Sequence, residues 1–275
     1  MIIETAFLKL PELLISSGQN GDIFEATIVH FMSLALNMEL NSRNIPKPYE
    51  HVLTEKPYLS SVKDRRLLQA DLFLKLEGIY SNNTRNFQYG IRNYCWLEVK
   101  AYLGGIRHKS TEPKTSHAGK IIRDILRLSI LPEELQGSHR DNSRYFLQVF
   151  SDLPLKYIAF SDKTNRAWIE KLFVDGISEF EIDLTNEAKS FKKSIGAKFE
   201  NIKNLRIRLK TKTLSFGPDQ TDIHPIFYGY LNRILEYTIE LDDLTLSVNN
   251  GYDDYWDLKK IESHDNIRSK LLEYL

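Results

Sequence analysis

Two carboxylates and one lysine lie within two neighbouring apolar segments of the chain. Asp71 interrupts the segment QADLFLKL, and Glu98 and Lys100 interrupt the segment NYCWLEVKAYL. Two carboxylates and water can bind a hard divalent cation such as Mg²⁺, which takes one or two protein carboxylates and keeps several waters. Bound Mg²⁺ can activate water and stabilise negative charge on a phosphodiester, while a neighbouring lysine orients or deprotonates that water. These residue types therefore indicate chemistry on a phosphodiester bond.

Both segments favour β-strands, so the directions of the charged side chains follow from the alternation of faces along a strand. Glu98 and Lys100 share one face of the second strand with Trp96 and Tyr102. Asp71 lies on the face of the first strand that is opposite to its wholly apolar face. The polar segment IYSNNTRNFQYG between the strands predicts a hairpin connection. Pairing of the two strands would bring Asp71 beside Glu98, with Lys100 one step along.

The elements that must position these residues predict an α/β fold. The proline-bearing segment NIPKPYEHVLTEKPYLSS is typical of a loop, and the spacing of apolar residues in IFYGYLNRILEYTI predicts a helix. Helices and strands in mixed order indicate a mixed β-sheet flanked by helices. Before residue 155, hydrophobic periodicity predicts a helix over 21–38, strands over 65–78 and 91–103, a helix over 116–131 and a strand over 144–152.

An acid in one strand followed by Glu-x-Lys in the next resembles the PD-(D/E)XK nuclease superfamily, which includes most type II restriction endonucleases. The matching residues are Asp71, Glu98 and Lys100. The resemblance implies a restriction-endonuclease-like core and Mg²⁺-dependent cleavage, with Asp71 and Glu98 as metal ligands and Lys100 beside the nucleophilic water. Many restriction enzymes of this family also place a glutamate near the metal from the helix before the core, and Glu25 matches it. The proline that usually precedes the first acid is missing from QAD.

Basic residues in two places predict contacts with double-stranded DNA. One group follows the Glu-x-Lys motif in a loop and a helix, where cations could contact phosphates. The other group alternates with apolar residues along NLRIRLKTKTL and would line one strand face. A solvated helix face is the commoner explanation of the first pattern, and a solvated sheet face explains the second equally well. The candidates for DNA binding are Arg107, Lys109, Lys114, Lys120, Arg123, Arg206, Arg208 and Lys210.

Blander explanations also exist for the residues of the predicted site. Glu98 and Lys100 could belong to the solvated face of an edge strand, although Trp96 and Tyr102 on that face argue against a plain solvated surface. Glu25 could be a helix acid paired with a nearby cation. At the level of function, the alternatives are a non-catalytic DNA-binding protein with a nuclease-like fold and a repair or junction-resolving nuclease that reads DNA structure.

The composition limits the class of protein. The chain has 275 residues with zero formal net charge, so any contact with nucleic acid must be local. The single cysteine excludes a disulfide framework, and zinc-site, phosphate-loop and G-x-S-x-G patterns are absent. No segment approaches the roughly 18 to 20 apolar residues of a membrane span, and the N-terminus lacks the features of a signal peptide. The sequence therefore predicts a cytoplasmic protein without a membrane partner.

The resemblance also divides the chain. It predicts a nuclease core with N-terminal helices over residues 1–155. Residues 156–275 match no motif and are predicted to supply DNA recognition and dimer contacts, in the same or a closely packed domain. A homodimer is expected because two symmetric copies most simply cut both strands of a palindrome.

Overall fold

The described part of the chain consists of helices and strands in mixed order, which confirms the α/β class. None of its helices is long and apolar enough to cross a membrane. The computed structural model describes residues 2–16, 24–57, 69–79, 92–102, 114–129, 142–158, 166–217, 227–249, 266–267 and 269–275.

Helices and strands occupy most of these residues. The α-helices are α1 (Ile2–Ser16), α2 (Glu25–Ser42), α3 (Lys114–Ser129), α4 (Trp168–Lys171) and α5 (Lys189–Ile195), and residues 266–267 and 269–274 are also helical. The strands are β1 (Val52–Pro57), β2 (Gln69–Lys75), β3 (Tyr94–Tyr102), β4 (Asn142–Phe150), β5 (Gly176–Asp183), β6 (Leu205–Phe216), β7 (Tyr228–Leu241) and β8 (Leu244–Asn249).

The strands form a mixed sheet, as predicted. Their order is β1-β2-β3-β4-β7-β6-β5, and β8 pairs with β7. Strands β3 and β4 run parallel, whereas the pairs β1–β2, β2–β3, β5–β6 and β7–β8 are antiparallel. The strand that carries Glu98 and Lys100 therefore has a hydrogen-bonded neighbour on each side.

The chain divides into two compact units that are each discontinuous in sequence. The first comprises Met1–Lys109, Pro132–Leu153 and Leu214–Leu231, and the second comprises the rest. By this division, residues 110–131 group with the second unit and residues 214–231 with the first. The parts assigned to residues 1–155 and 156–275 stay predictions. Strand pairing and helix packing join segments that are distant in sequence, so position along the chain does not decide membership.

Helices α1 and α2 cover the apolar face of the first unit's strands. Phe7 of α1 and Met32 of α2 are fully buried in one core cluster with Leu97, Val99 and Leu147 of β3 and β4. Since side chains alternate along a strand, Glu98 and Lys100 lie on the opposite face from this core. The apolar packing thus determines which way the charged residues of β3 point.

Two predictions about secondary structure are wrong. The proline-bearing segment predicted as a loop contains β1, and the segment predicted as a helix, residues 226–239, forms most of β7. In the second half of β7, buried Tyr237 and Ile239 alternate with outward Glu236 and Thr238, as in a strand. The preceding residues Leu231–Ile234 are all buried, which hides the alternation and leaves apolar spacing that resembles a helix.

Candidate active site

The two predicted metal ligands, Asp71 and Glu98, lie just beyond the paired residues of β2 and β3. The antiparallel pairing ends at Leu72 opposite Leu97. The same register, continued by one step, would set Asp71 opposite Glu98. Beyond the paired residues, the Asp71 side chain contacts the backbone of β3. Its Oδ2 atom accepts a hydrogen bond from the Val99 N–H at 2.7 Å. The Asp71 carboxylate is therefore held against the backbone of β3, next to Glu98.

Glu98 and Lys100 lie in the interior of the sheet. The parallel register sets Glu98 beside Phe146 and Lys100 beside Gln148 of β4. Glu98 is fully buried, and the Lys100 side chain is only 14% exposed. Because β3 lies between β2 and β4, the alternative of a solvated edge strand is wrong.

Glu25 reaches the same place from helix α2. It is the first residue of the helix, and its two carboxylate oxygens lie 3.4 and 3.5 Å from the Lys100 Nζ atom. The same Nζ atom donates a hydrogen bond to the Val99 carbonyl oxygen at 2.9 Å. Asp71 and Lys100 thus both contact the Val99 backbone, Glu25 lies at Lys100, and Glu98 precedes Val99 on β3. We call Glu25, Asp71, Glu98 and Lys100 the acidic corner.

The donor set of the acidic corner fits Mg²⁺. Asp71 and Glu98 supply hard carboxylate oxygens from adjacent strands, and Mg²⁺ commonly takes one or two carboxylates and completes its octahedron with water. Within the described residues, no three His, Cys, Asp or Glu side chains form a group that could hold a metal ion. An ion held by Asp71 and Glu98 alone would keep most of its waters.

The basic residues that follow the Glu-x-Lys motif are only partly described. Arg107, Lys109 and the side chain of Lys114 lie outside the described part of the chain. Lys120 and Arg123 are half-buried in α3, where every described side chain is buried or half-buried. Their partial exposure leaves a solvated helix face, the alternative explanation of this basic pattern, open. Contact of these residues with DNA stays a prediction.

The predicted cationic stripe on β6 is paired with acids from neighbouring strands. Arg208 and Lys210 lie 3.7 Å from Glu240 and 3.5 Å from Glu236 of β7, respectively. The free protein therefore presents rows of alternating charge, rather than one row of cations. On the other side, β5 contributes three further ion pairs: Arg206 with Asp183 at 3.3 Å, Arg208 with Glu181 at 2.7 Å and Lys210 with Glu179 at 3.1 Å.

These ion pairs favour the charged forms of Arg208 and Lys210. The hydrogen bond that Lys210 donates to Glu179, and after it the charge of Glu236, raise the pKa of Lys210. The hydrogen bond that Arg208 donates to Glu181 raises the pKa of Arg208 in the same way. A DNA phosphate would have to compete with carboxylates that already hold these cations. Contact of the stripe with DNA stays a prediction.

Sequence reasoning misses two polar residues beside the acidic corner. Gln148 is fully buried next to Lys100, and its signal was a glutamine inside the otherwise apolar end of RYFLQVF. Glu55 lies on β1 at the position opposite Asp71 in the β1–β2 register. Its φ of 52° is left-handed, which is uncommon for a residue other than glycine. No sequence signal marked Glu55, because its segment was predicted to be a loop.

Comparison with known proteins leaves the resemblance to the PD-(D/E)XK superfamily as a prediction. The chain matches no family model, no curated protein and no solved structure. The resemblance therefore depends on Asp71, Glu98 and Lys100 and on the strands that carry them.

Proposed function

We propose that the chain is a Mg²⁺-dependent endonuclease that hydrolyses phosphodiester bonds in double-stranded DNA, with a restriction-endonuclease-like core. The observation that carries the proposal is the acidic corner. Glu98 is fully buried and Lys100 is mostly buried, on an interior strand, and Asp71 is anchored to the backbone between them. Burying ionised groups is costly, and such clusters of buried charge are more frequent at functional sites than elsewhere.

Each residue of this group has a part in the proposed reaction. Asp71 and Glu98 would hold the cation through carboxylate oxygens. Bound Mg²⁺ would lower the pKa of a coordinated water and offset negative charge on the phosphate. The Lys100 ammonium adds a fixed positive charge where negative charge develops in the transition state. Its hydrogen bond to the Val99 carbonyl holds the ammonium against the backbone of β3.

Among Mg²⁺-dependent endonucleases, we propose a type II restriction enzyme. The sequence contains no phosphate-loop motif, so cleavage would not depend on nucleotide hydrolysis. Two copies related by a twofold axis would cut both strands of a palindromic site. The remainder of the chain would then read a short sequence and supply the dimer contacts, and the enzyme would work in the cytoplasm, where it meets foreign DNA.

The test is incubation of the purified protein with plasmid and phage DNA in Mg²⁺ at low salt, since salt weakens phosphate contacts. We expect discrete fragments that vanish with EDTA and in the Lys100→Ala variant. Lys75→Ala is the matched control, because Lys75 lies on β2 and its side chain is 49% exposed. Fragments that persist in Lys100→Ala would contradict the proposal.

A gel-retardation assay and a branched DNA substrate, added to this experiment, separate the two alternatives. A non-catalytic DNA-binding protein would retard DNA in a gel without cutting it under any metal condition. A junction-resolving nuclease would leave linear duplexes intact and cut branched DNA. Discrete bands from a plain linear duplex would exclude both alternatives.

A further inference from the structure

Glu25 and Lys100 lie 75 positions apart in sequence and meet at the edge of the acidic corner. The Lys100 Nζ atom lies 3.4 Å from one carboxylate oxygen of Glu25 and 3.5 Å from the other. On its other side it donates a hydrogen bond to the Val99 carbonyl oxygen at 2.9 Å. The ammonium is therefore held between the start of α2 and the backbone of its own strand.

The backbone that carries Glu25 is well anchored. One and two turns further along α2, respectively, Ile28 and Met32 are fully buried in the same core cluster as Val99. The Phe24 N–H also bonds to the Thr27 hydroxyl at 3.4 Å, which helps to define where the helix begins. The buried core therefore fixes where the backbone of Glu25 lies relative to β3, and the Glu25 side chain, which is 45% exposed, reaches Lys100 from there.

Lys100 needs such an anchor. A lysine carries its charge on a flexible four-carbon stem, and catalysis by a fixed charge requires that stem to be held in one arrangement. Val99 connects the two sides of the corner, because its N–H bonds to Asp71 and its carbonyl oxygen accepts from Lys100. If the Lys100 ammonium moved away from the Val99 carbonyl oxygen, it would also lose its fixed position relative to the Asp71 carboxylate.

We propose that Glu25 is a positioning residue that acts through Lys100, and that it does not hold the cation. The inference rests on the proposed nuclease function and departs from the role that the resemblance implied for Glu25. Two observations support it: the Glu25 carboxylate lies at an ammonium, and Glu25, Asp71 and Glu98 do not form a three-carboxylate metal group within the described residues.

Kinetics distinguish positioning from metal binding. In Glu25→Ala we expect kcat to fall by about 10- to 100-fold, as for a misplaced catalytic group. The KM for DNA and the Mg²⁺ concentration for half-maximal rate should stay the same. Glu25→Gln keeps an oxygen acceptor of the same length and should lose less. Glu12→Gln is the matched control, since Glu12 is an exposed glutamate of α1.

Two measurements without DNA complete the test. Mg²⁺ titration calorimetry should give the same affinity for wild type and Glu25→Gln, and a weaker one for Asp71→Asn. A crystal structure of Glu25→Ala should show the Lys100 ammonium away from the Val99 carbonyl oxygen. Mg²⁺ affinity lost in Glu25→Gln, or Lys100 unmoved in that crystal, would overturn the inference. If the wild type neither cuts DNA nor binds Mg²⁺, the proposed function fails, and the crystal structure alone decides whether Glu25 positions Lys100.

Discussion

The Asp71 carboxylate accepts a hydrogen bond from the backbone N–H of Val99 at 2.7 Å, at the point where the paired register of β2 and β3 ends. One side chain thus has two tasks. It satisfies a backbone donor of a fully buried residue, and it presents its carboxylate next to Glu98. Substitution with asparagine separates these tasks. An amide oxygen can still accept the hydrogen bond from the Val99 N–H, but the amide is a poor substitute for the carboxylate.

Asp71→Ala should destabilise the fold more than Asp71→Asn does. Alanine leaves the buried Val99 N–H without this acceptor, which costs about 1–3 kcal/mol, whereas the asparagine carbonyl can still accept. Urea unfolding of the two variants measures the difference, and any relief of repulsion with Glu98 is common to both. Equal free energies of unfolding would show that the hydrogen bond contributes little. Both variants should lose DNA cleavage.

Mg²⁺ should stabilise the wild-type protein against heat and should not stabilise Glu98→Gln. A ligand that binds only the folded state adds about 2.7 kcal/mol at a concentration 100 times its Kd. A neutral amide at residue 98 would lose the charge that attracts a hard cation. Thermal melts with and without Mg²⁺ measure the shift. Glu77→Gln, with a side chain 53% exposed, is the control and should respond to Mg²⁺ like the wild type.

Glu39 should make stability depend on pH in the acid range. Burial raises the pKa of this carboxyl, but the hydrogen bonds and charges of Lys9 and Arg43 outweigh it and hold the pKa below the ordinary value of 4.5. A lowered folded-state pKa contributes stability above the ordinary value, and this contribution is lost as the pH falls through the lowered pKa. Glu39→Gln should therefore destabilise the protein at neutral pH and much less in acid.

The expected loss in Glu39→Gln at neutral pH is about 1–2 kcal/mol, between the values for exposed and for buried pairs. Glu39 is 4% exposed, while the side chains of Lys9 and Arg43 are 31% and 37% exposed. Urea unfolding at several pH values measures the difference from wild type. Glu50→Gln is the control, because its pair with Lys47 is exposed and should contribute little at any pH. A loss that does not depend on pH would mean that packing, not charge, is responsible.

Substitution of the β6 stripe tests its contact with DNA. Log K for DNA binding falls as log salt concentration rises, and loss of two independent phosphate contacts should make this slope less steep by about 1.8. Because Arg208 and Lys210 are already paired with acids, we expect the double variant Arg208→Gln with Lys210→Gln to lower the slope by much less. The comparison is the double variant that carries Arg107→Gln and Lys109→Gln in the predicted DNA-contacting loop. For this variant we expect the full change in slope. A full loss from the β6 variant would identify the stripe as a DNA contact.

The faces of β2 and β3 could be predicted because alternation is a local property of a strand. The registers confirm that Phe73 and Trp96 are neighbours on one face, and that Leu72 and Leu97 are neighbours on the other. Helix α2 was also predictable, because its buried residues recur at helical spacing. Strand β7 was not predictable in this way, because four consecutive residues, Leu231–Ile234, are buried and hide the period of two.

The sequence by itself determined the α/β class, the charged face of β3 and the residue types that suit Mg²⁺ and a phosphodiester. Tertiary structure decided which charged side chains contact one another and which contact the backbone. It brought Glu25 to Lys100, joined Asp71 to the Val99 backbone and surrounded the β6 cations with acids. These pairings depend on which strands and helices become neighbours. Burial of the apolar faces selects those neighbours across long sequence separations, and no local pattern records the choice.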